Sequence, residues 1–405
     1  MKKEQKEILI TEEGNELIFH SLSNPKVVAD FVEIILSKLS GLDRNLILNF
    51  KNITGAFANT SVPIAGLVHD LKSFGFNFEF YYLNEYLKRI GIDQPLVPKQ
   101  QNSASKWLDR IWKFEDGIAI NLVIENLISE LSQKIVSEKG VLEGLEWSLS
   151  EAMDNVLRHS MKNYGFVMGQ IHSGNKIAIA VFDTGIGIYN SLMKAEHKPQ
   201  SPKEAIEICI KKGVTRDKEG QGFGLYGLSQ IVKENLGHLM ITSGSAVYRY
   251  DAGKESSFDF LPTLPVLSST LVDIQITYTK EIPLAIALGG IETPNLRMEK
   301  LENEVGSIIY NIKDQPGGTS TRQSGAQLRN EVINIHKQTQ KTVFLNFENV
   351  VIVASSFADE FIGKLVTEFG FVGFNNFVKL INLNPTVQMI VQRSVAQRMN
   401  EEFNS

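Results

Sequence analysis

A carboxylate and an amide stand four residues apart in Glu151-Ala-Met-Asp154-Asn155, so a helix would place both on one face. On that face Glu151 can activate a water or a hydroxyl, and Asn155 can hold a magnesium ion. That division of labour suits phosphoryl transfer. Asp154, between them, is either a second polar contact behind the nucleotide or a solvated side chain. Further on, the apolar run Ile177-Ala-Ile-Ala-Val181-Phe182 reads as a buried strand that delivers Asp183 beside Gly185 and Gly187. A strand-end carboxylate there can accept a hydrogen bond from an exocyclic amine, and adenine supplies one. The third block, Gly220-Gln-Gly222-Phe223-Gly224-Leu225, runs into a helix expected over Leu225 to Glu234. Glycines at a helix start let backbone N–H groups approach the β- and γ-phosphates. Together the three blocks predict a site for ATP and Mg2+.

In this order the blocks resemble the N box and the two glycine boxes of the Bergerat-fold ATPases, the superfamily of DNA gyrase, the ninety-kilodalton heat-shock chaperone, histidine kinases and mismatch-repair ATPases. Within it the pattern is most similar to the anti-sigma-factor serine kinases, where a Glu-Ala-x-x-Asn helix also ends in a basic or histidine-containing turn, here Arg158-His159. The resemblance covers roughly residues 105 to 280. It implies an α/β sandwich with a mixed sheet, and a lid over ATP corresponding to Tyr189–Glu219, with Lys212, Arg216 and Lys218 either near the triphosphate or solvated. It also implies that Thr270, in Ser268-Ser-Thr-Leu-Val, lies near adenine.

Other readings of these residues are weaker. Gly222-Phe-Gly224-Leu-Tyr-Gly227 spells a dinucleotide-binding pattern, but a charged loop precedes it instead of a strand. His69-Asp70-Leu-Lys72 resembles a histidine-kinase phosphoacceptor, yet it leads straight into a strand and lacks the following proline. Cys209, the single cysteine, has apolar neighbours at helical spacing and reads as core.

The elements that must hold these residues exceed one domain. At 405 residues the chain is longer than one core usually serves. Residues 1–97 alternate strands, Glu16–Phe19, Leu46–Phe50 and Phe78–Tyr82, with a helix over Val27–Leu39. That is a small α/β domain. A Pro-containing polar stretch from Asp93 separates it from a central domain at 105–282, followed by a linker helix at 283–314 and a last domain at 315–405. The last domain echoes the first, Leu345-Asn-Phe-Glu-Asn-Val350 against Leu48-Asn-Phe-Lys-Asn-Ile53. Its Ser355-Ser356-Phe-Ala-Asp359 segment, after one strand and before a helix, resembles the phosphoacceptor loop of STAS domains and more specifically a STAS-like family of unknown function. The N-terminal copy resembles STAS in pattern, with Thr60-Ser61 at the equivalent turn. The fold class expected is therefore α/β, a central Bergerat-type sandwich between two STAS-like domains.

A net charge of −5 and a pI near 5.9 give no nucleic-acid footprint. No disulfide can form within the chain from one cysteine, so a reducing, cytoplasmic setting is expected, and the longest apolar run, Ile282–Ile291, is too short for a membrane span. Three activities remain open on these residues: a slow ATPase switch acting on a protein partner or an ATP-dependent homodimer, a kinase of STAS-like serines with Ser355 and Ser356 as acceptors, and an ATP-binding module without turnover. The ATPase switch ranks first because Ser355-Ser356 lacks the preceding acid and following glycines of phosphorylated STAS loops.

Overall fold

The computed structural model describes residues 7–39, 41, 44–99, 106–194, 198–211, 224–254, 256–261, 268–290 and 296–403. They form two compact units, one of Met1–Leu127, Gly144–Thr277 and Leu284–Gly290, the other of Ile128–Glu143, Tyr278–Pro283 and Ile291–Ser405. Among the described residues no helix is long and apolar enough to cross a membrane.

The first unit begins with β1 (Ile10–Glu13), β2 (Glu16–Phe19), α1 (Lys26–Lys38), β3 (Asn45–Asn49), α2 (Ala58–Leu71), β4 (Asn77–Tyr81) and α3 (Glu85–Ile90). Their sheet runs β1-β2-β3-β4, antiparallel in its first pair and parallel after it. Each parallel neighbour is reached through a helix, as parallel pairing requires. Helix α2 is apolar almost all round and buried along nearly its whole length. Such a helix needs cover on more than one side.

The second cover comes from the sheet that follows. This part contains β5 (Trp112–Phe114), α4 (Gly117–Lys134), α5 (Val141–His159), β6 (Gly165–His172), β7 (Lys176–Asp183), α6 (Gly187–Met193), α7 (Pro202–Cys209), α8 (Gly224–Asn235), β8 (His238–Ser243), β9 (Ala246–Asp251), β10 (Ser257–Phe260), β11 (Thr270–Thr277) and α9 (Leu284–Ala287). Residues 128–143, the end of α4 and the start of α5, fall in the second unit. The seven strands run β10-β9-β8-β11-β7-β6-β5, and every pairing is antiparallel, where a mixed sheet was expected. The β6–β7 and β8–β9 connections are tight turns, which allow only antiparallel neighbours. Phe166, Met168, Ala180, Phe182 and Leu271 share one core with Val62, Ala65 and Val68 of α2 and with Leu17, Phe19 and Leu48 of the N-terminal sheet. The N-terminal segment and the seven-stranded sheet are thus one folded body with α2 between them.

The second unit contains α10 (Leu296–Leu301), β12 (Ile308–Asn311), α11 (Arg322–Thr339), β13 (Val343–Asn346), α12 (Ser355–Ala358), a π-helical turn at Asp359–Gly363, α13 (Lys364–Phe377), β14 (Val378–Ile381) and α14 (Pro385–Phe403). Its three strands are parallel in the order β12-β13-β14. The repeated wording marks repeated geometry. After β3 and after β13 a phenylalanine N–H donates across the sheet, Phe50 to Tyr81 O and Phe347 to Ile381 O, each at 3.0 Å. After the last strand of each, β4 and β14, an asparagine caps the following helix, Asn84 accepting from Leu87 N and Asn384 from Val387 N, both at 2.9 Å.

Candidate nucleotide-binding site

Helix α5 is turned by its apolar stripe. Leu145, Leu149, Ala152, Met153 and Val156 are buried, which leaves Glu151, Asp154 and Asn155 half-buried on the other side and Arg158 exposed. Burial pushes the Glu151 carboxyl above its ordinary range, Asp154 adds repulsion, and Arg158 offsets part of it. Asp154 itself faces Arg158 one turn on, at 3.7 Å.

Gly224, the first residue of α8, is where the third sequence block meets the first. A Cβ on Gly224 would stand 3.1 Å from Glu151 Oε2 and 3.7 Å from Asn155 Nδ2. A side chain there would crowd the Glu151 carboxyl and the Asn155 amide, and glycine lets the backbone approach them closely. Leu225 follows in the first turn of α8. Gly227, the third glycine of the dinucleotide-like pattern, lies against a helix instead of a strand, because its Cβ would meet the Trp147 ring of α5 at 2.4 Å. Gly220, Gly222 and Phe223, with Lys212, Arg216 and Lys218, lie outside the described residues.

Asp183 closes β7, is 4% exposed, and accepts a hydrogen bond from Gly185 N at 2.7 Å. Burial pushes its carboxyl up to about 7, against the pull of that N–H. Thr270 is its partner directly across the β7–β11 pairing. Gly187 starts α6 with φ at 72°, a left-handed conformation that most side chains resist.

Three serines that the motifs did not flag set this loop. Ser160 O accepts from Ile186 N at 2.9 Å, Ser243 Oγ accepts from Ile188 N at 2.8 Å, and Ser268 N donates to Gly185 O at 3.2 Å. No local pattern distinguishes them from surface serines; Ser243 and Ser268 are brought there by the pairing of β11 with β7 and β8, and Ser160 by the end of α5. His159 is half-buried as the last residue of α5. Cys209, expected in the core, is half-buried at the end of α7, where burial pushes its thiol up to about 12.

Among the described residues no group of three or more His, Cys, Asp or Glu is placed to hold a metal. The amide of Asn155 is chemically suited to magnesium, an ion that takes few protein ligands and keeps waters and phosphate oxygens as the others.

Comparison with known proteins finds two families along the chain. Residues 140–266 match the family described as histidine kinase-, DNA gyrase B-, and HSP90-like ATPase, and residues 324–388 match the STAS-like domain of unknown function, DUF4325. No curated protein matches the chain. Among solved structures, the mycobacterial sensor histidine kinase MprB is 17% identical over 35% of this chain and 74% of its own, with a TM-score of 0.22. The catalytic domain of histidine kinase ThkA is 14% identical over 42% of this chain and 97% of its own, with a TM-score of 0.23. Full-length ShkA in complex with AMPPNP is 10% identical over 93% of this chain and 72% of its own, with a TM-score of 0.21. On these matches the chain carries a Bergerat-type, histidine kinase-like ATPase domain and, C-terminal to it, a STAS-like domain.

Proposed function

We propose that this chain is a regulatory Mg-ATP-binding protein with slow ATPase activity, in which Glu151 is the general base. The observation that carries the reading is the approach of Gly224 to Glu151 Oε2 and Asn155 Nδ2. It puts the start of α8, whose backbone N–H groups suit phosphate, in front of a base and an amide. A carboxyl raised by burial accepts a proton better at neutral pH, which favours Glu151 as activator of water. Asn155 would hold magnesium, and Asp183, with Thr270 beside it, would read the adenine amine. The bound metal supplies charge neutralisation at the phosphates. Nucleotide-dependent closure of the segment between α6 and α8 would then switch engagement of a protein partner, a regulator or an effector, or of a second copy of the chain. The acidic balance gives no support to nucleic acid as that partner.

Transfer to a serine is the second reading, and one observation favours it: Ser355 is exposed at the first residue of α12. Thr60 and Ser61 do not share that position. Both are 0% exposed, and their hydroxyls donate to backbone carbonyls, Thr60 to Leu22 O at 2.5 Å and Ser61 to Phe57 O at 2.6 Å.

The test is incubation with γ-labelled ATP and magnesium beside Glu151→Ala, following free phosphate and label on the chain. Hydrolysis lowered by roughly two to four orders of magnitude in Glu151→Ala, with ATP still bound, supports the ATPase. Label on Ser355 or Ser356 makes the protein a kinase of its own STAS-like domain. Equal phosphate release by wild type and mutant removes Glu151 as the base.

A further inference from the structure

Asp70 stands in the last turn of α2, on the N-terminal side of the shared core, and is 2% exposed. Four side chains converge on its carboxylate: Lys162 Nζ at 2.7 Å, His69 Nδ1 at 3.0 Å, the Tyr164 hydroxyl and the Thr184 hydroxyl. Burial alone would raise this carboxyl, but the hydrogen bonds from His69, Lys162, Thr184 and Tyr164 hold it well below the ordinary range. The carboxylate is therefore charged and fully engaged. Three of its partners come from the ATPase part of the chain, and one of them, Thr184, is the residue after Asp183.

Strand alternation explains why neighbours serve opposite faces. Phe182 faces α2, where a Cβ on Gly66 would fall 2.7 Å from its ring. Asp183 faces the other way and takes the Gly185 N–H. Thr184 returns to the α2 side and donates to Asp70. The backbone that carries Asp183 is pinned on both faces of the sheet. Lys162 and Tyr164 extend the clamp, because Lys162 N donates to Ser160 Oγ at 3.0 Å and Ser160 O accepts from Ile186 N at 2.9 Å. Asp70 thus holds both segments, 160–164 and 184–187, that frame the adenine end of the site.

We propose that Asp70 is a positioning residue of the nucleotide site: acting through Thr184, it fixes the Asp183 carboxylate where an adenine amine can donate to it, so the N-terminal segment is part of the ATP site. The inference rests on the reading of Asp183 as the adenine acceptor. Guanine presents a carbonyl oxygen where adenine has its amine, so a fixed carboxylate repels GTP, and a loosened one discriminates less.

ATP and GTP affinities of the full chain, by titration calorimetry in magnesium, test this with Thr184→Val, Thr184→Ser, Asp70→Asn and Asp183→Asn. Thr184→Val is expected to weaken ATP about tenfold and to narrow the ATP-over-GTP preference, while Thr184→Ser, which keeps the hydroxyl, restores both. Combining Thr184→Val with Asp70→Asn should cost no more than the worse single change, since both break one contact. Should Asp70→Asn fail to fold, the valine and serine pair decides alone. Wild-type affinity and preference in folded Thr184→Val, or equal losses in valine and serine, overturn the inference while a weakened Asp183→Asn leaves the adenine site standing. Undiminished ATP binding by Asp183→Asn removes the adenine reading and this inference with it.

Discussion

Asp183 is buried as an acid whose folded value, about 7, lies above the roughly 4 of a solvated carboxyl. The sign follows from linkage. The fold favours the neutral form, so this group's stabilising contribution is present at low pH and is lost as pH rises through about 7. A nucleotide N–H donated to the carboxylate favours the charged form instead and pulls the proton off. ATP binding should therefore release a proton below about pH 7, and affinity should rise from pH 5 to pH 7. Calorimetry in buffers of different ionisation enthalpy, at saturating magnesium to keep the phosphates ionised, reads this directly; proton uptake or a flat profile would contradict it. Asn155→Ala makes a separate claim, loss of ATP binding that depends on magnesium, and retained affinity in the metal would remove Asn155 from that role. The placement of these residues was legible because spacing sufficed: a four-residue interval on one helix and a carboxylate at a strand end need no tertiary information. Asp70 and Thr184 were not, since the carboxylate and hydroxyl that meet are 114 residues apart and neither sits in a motif that demands the other.

Helix α2 shows the same limit for an element. Ala58–Leu71 contains Pro63 and no polar face, so neither amphipathic periodicity nor an uninterrupted helical pattern announces it. By contrast the strands Glu16–Phe19 and Leu46–Phe50 and the helix from Val27 alternate or cycle cleanly, and the structure has them at β2, β3 and α1. What α2 needs is a second apolar surface, and a sequence does not say which one arrives. Gly66 records the closeness of that surface: a Cβ would lie 2.7 Å from two Phe182 ring atoms and 3.0 Å from Phe166. Gly66→Leu is expected to destabilise the first unit by about 1–3 kcal/mol through overpacking, read as a lowered melting temperature. Phe182→Ala in the same chain frees ring volume and should recover part of the loss, as contacting sites couple. Additive losses in the double mutant would mean that helix and ring are not in contact.

At the scale of the whole chain, the two ends share local construction but differ in what covers the helix after their central strand. In the C-terminal domain that segment, α12 through the π turn, lies against α11 and the 19-residue α14. In the N-terminal copy the corresponding last helix, α3, has 6 residues, and α2 meets the seven-stranded sheet instead. The sequence echo pointed to the shared local construction, but not to this exchange of partners, because a helix fourteen residues long reads the same whether a helix or a sheet covers it. The exchange has a testable cost. Removing residues 1–99 would open the α2-facing side of the sheet, with Phe166, Met168, Phe182 and Leu271, to water. It would also strip Asp273, 1% exposed, of the Asn59 amide that donates to it at 2.9 Å. A contiguous apolar face around a carboxylate left with only the Gln275 amide, at 3.3 Å, is a route to aggregation. The truncated chain is expected to be insoluble or to elute as large assemblies, and co-expression of residues 1–99 as a separate polypeptide should restore a soluble complex. A truncated chain that runs as a monomer with wild-type ATP affinity would show that the seven-stranded sheet stands without its N-terminal cover, and would detach the first domain from the nucleotide site.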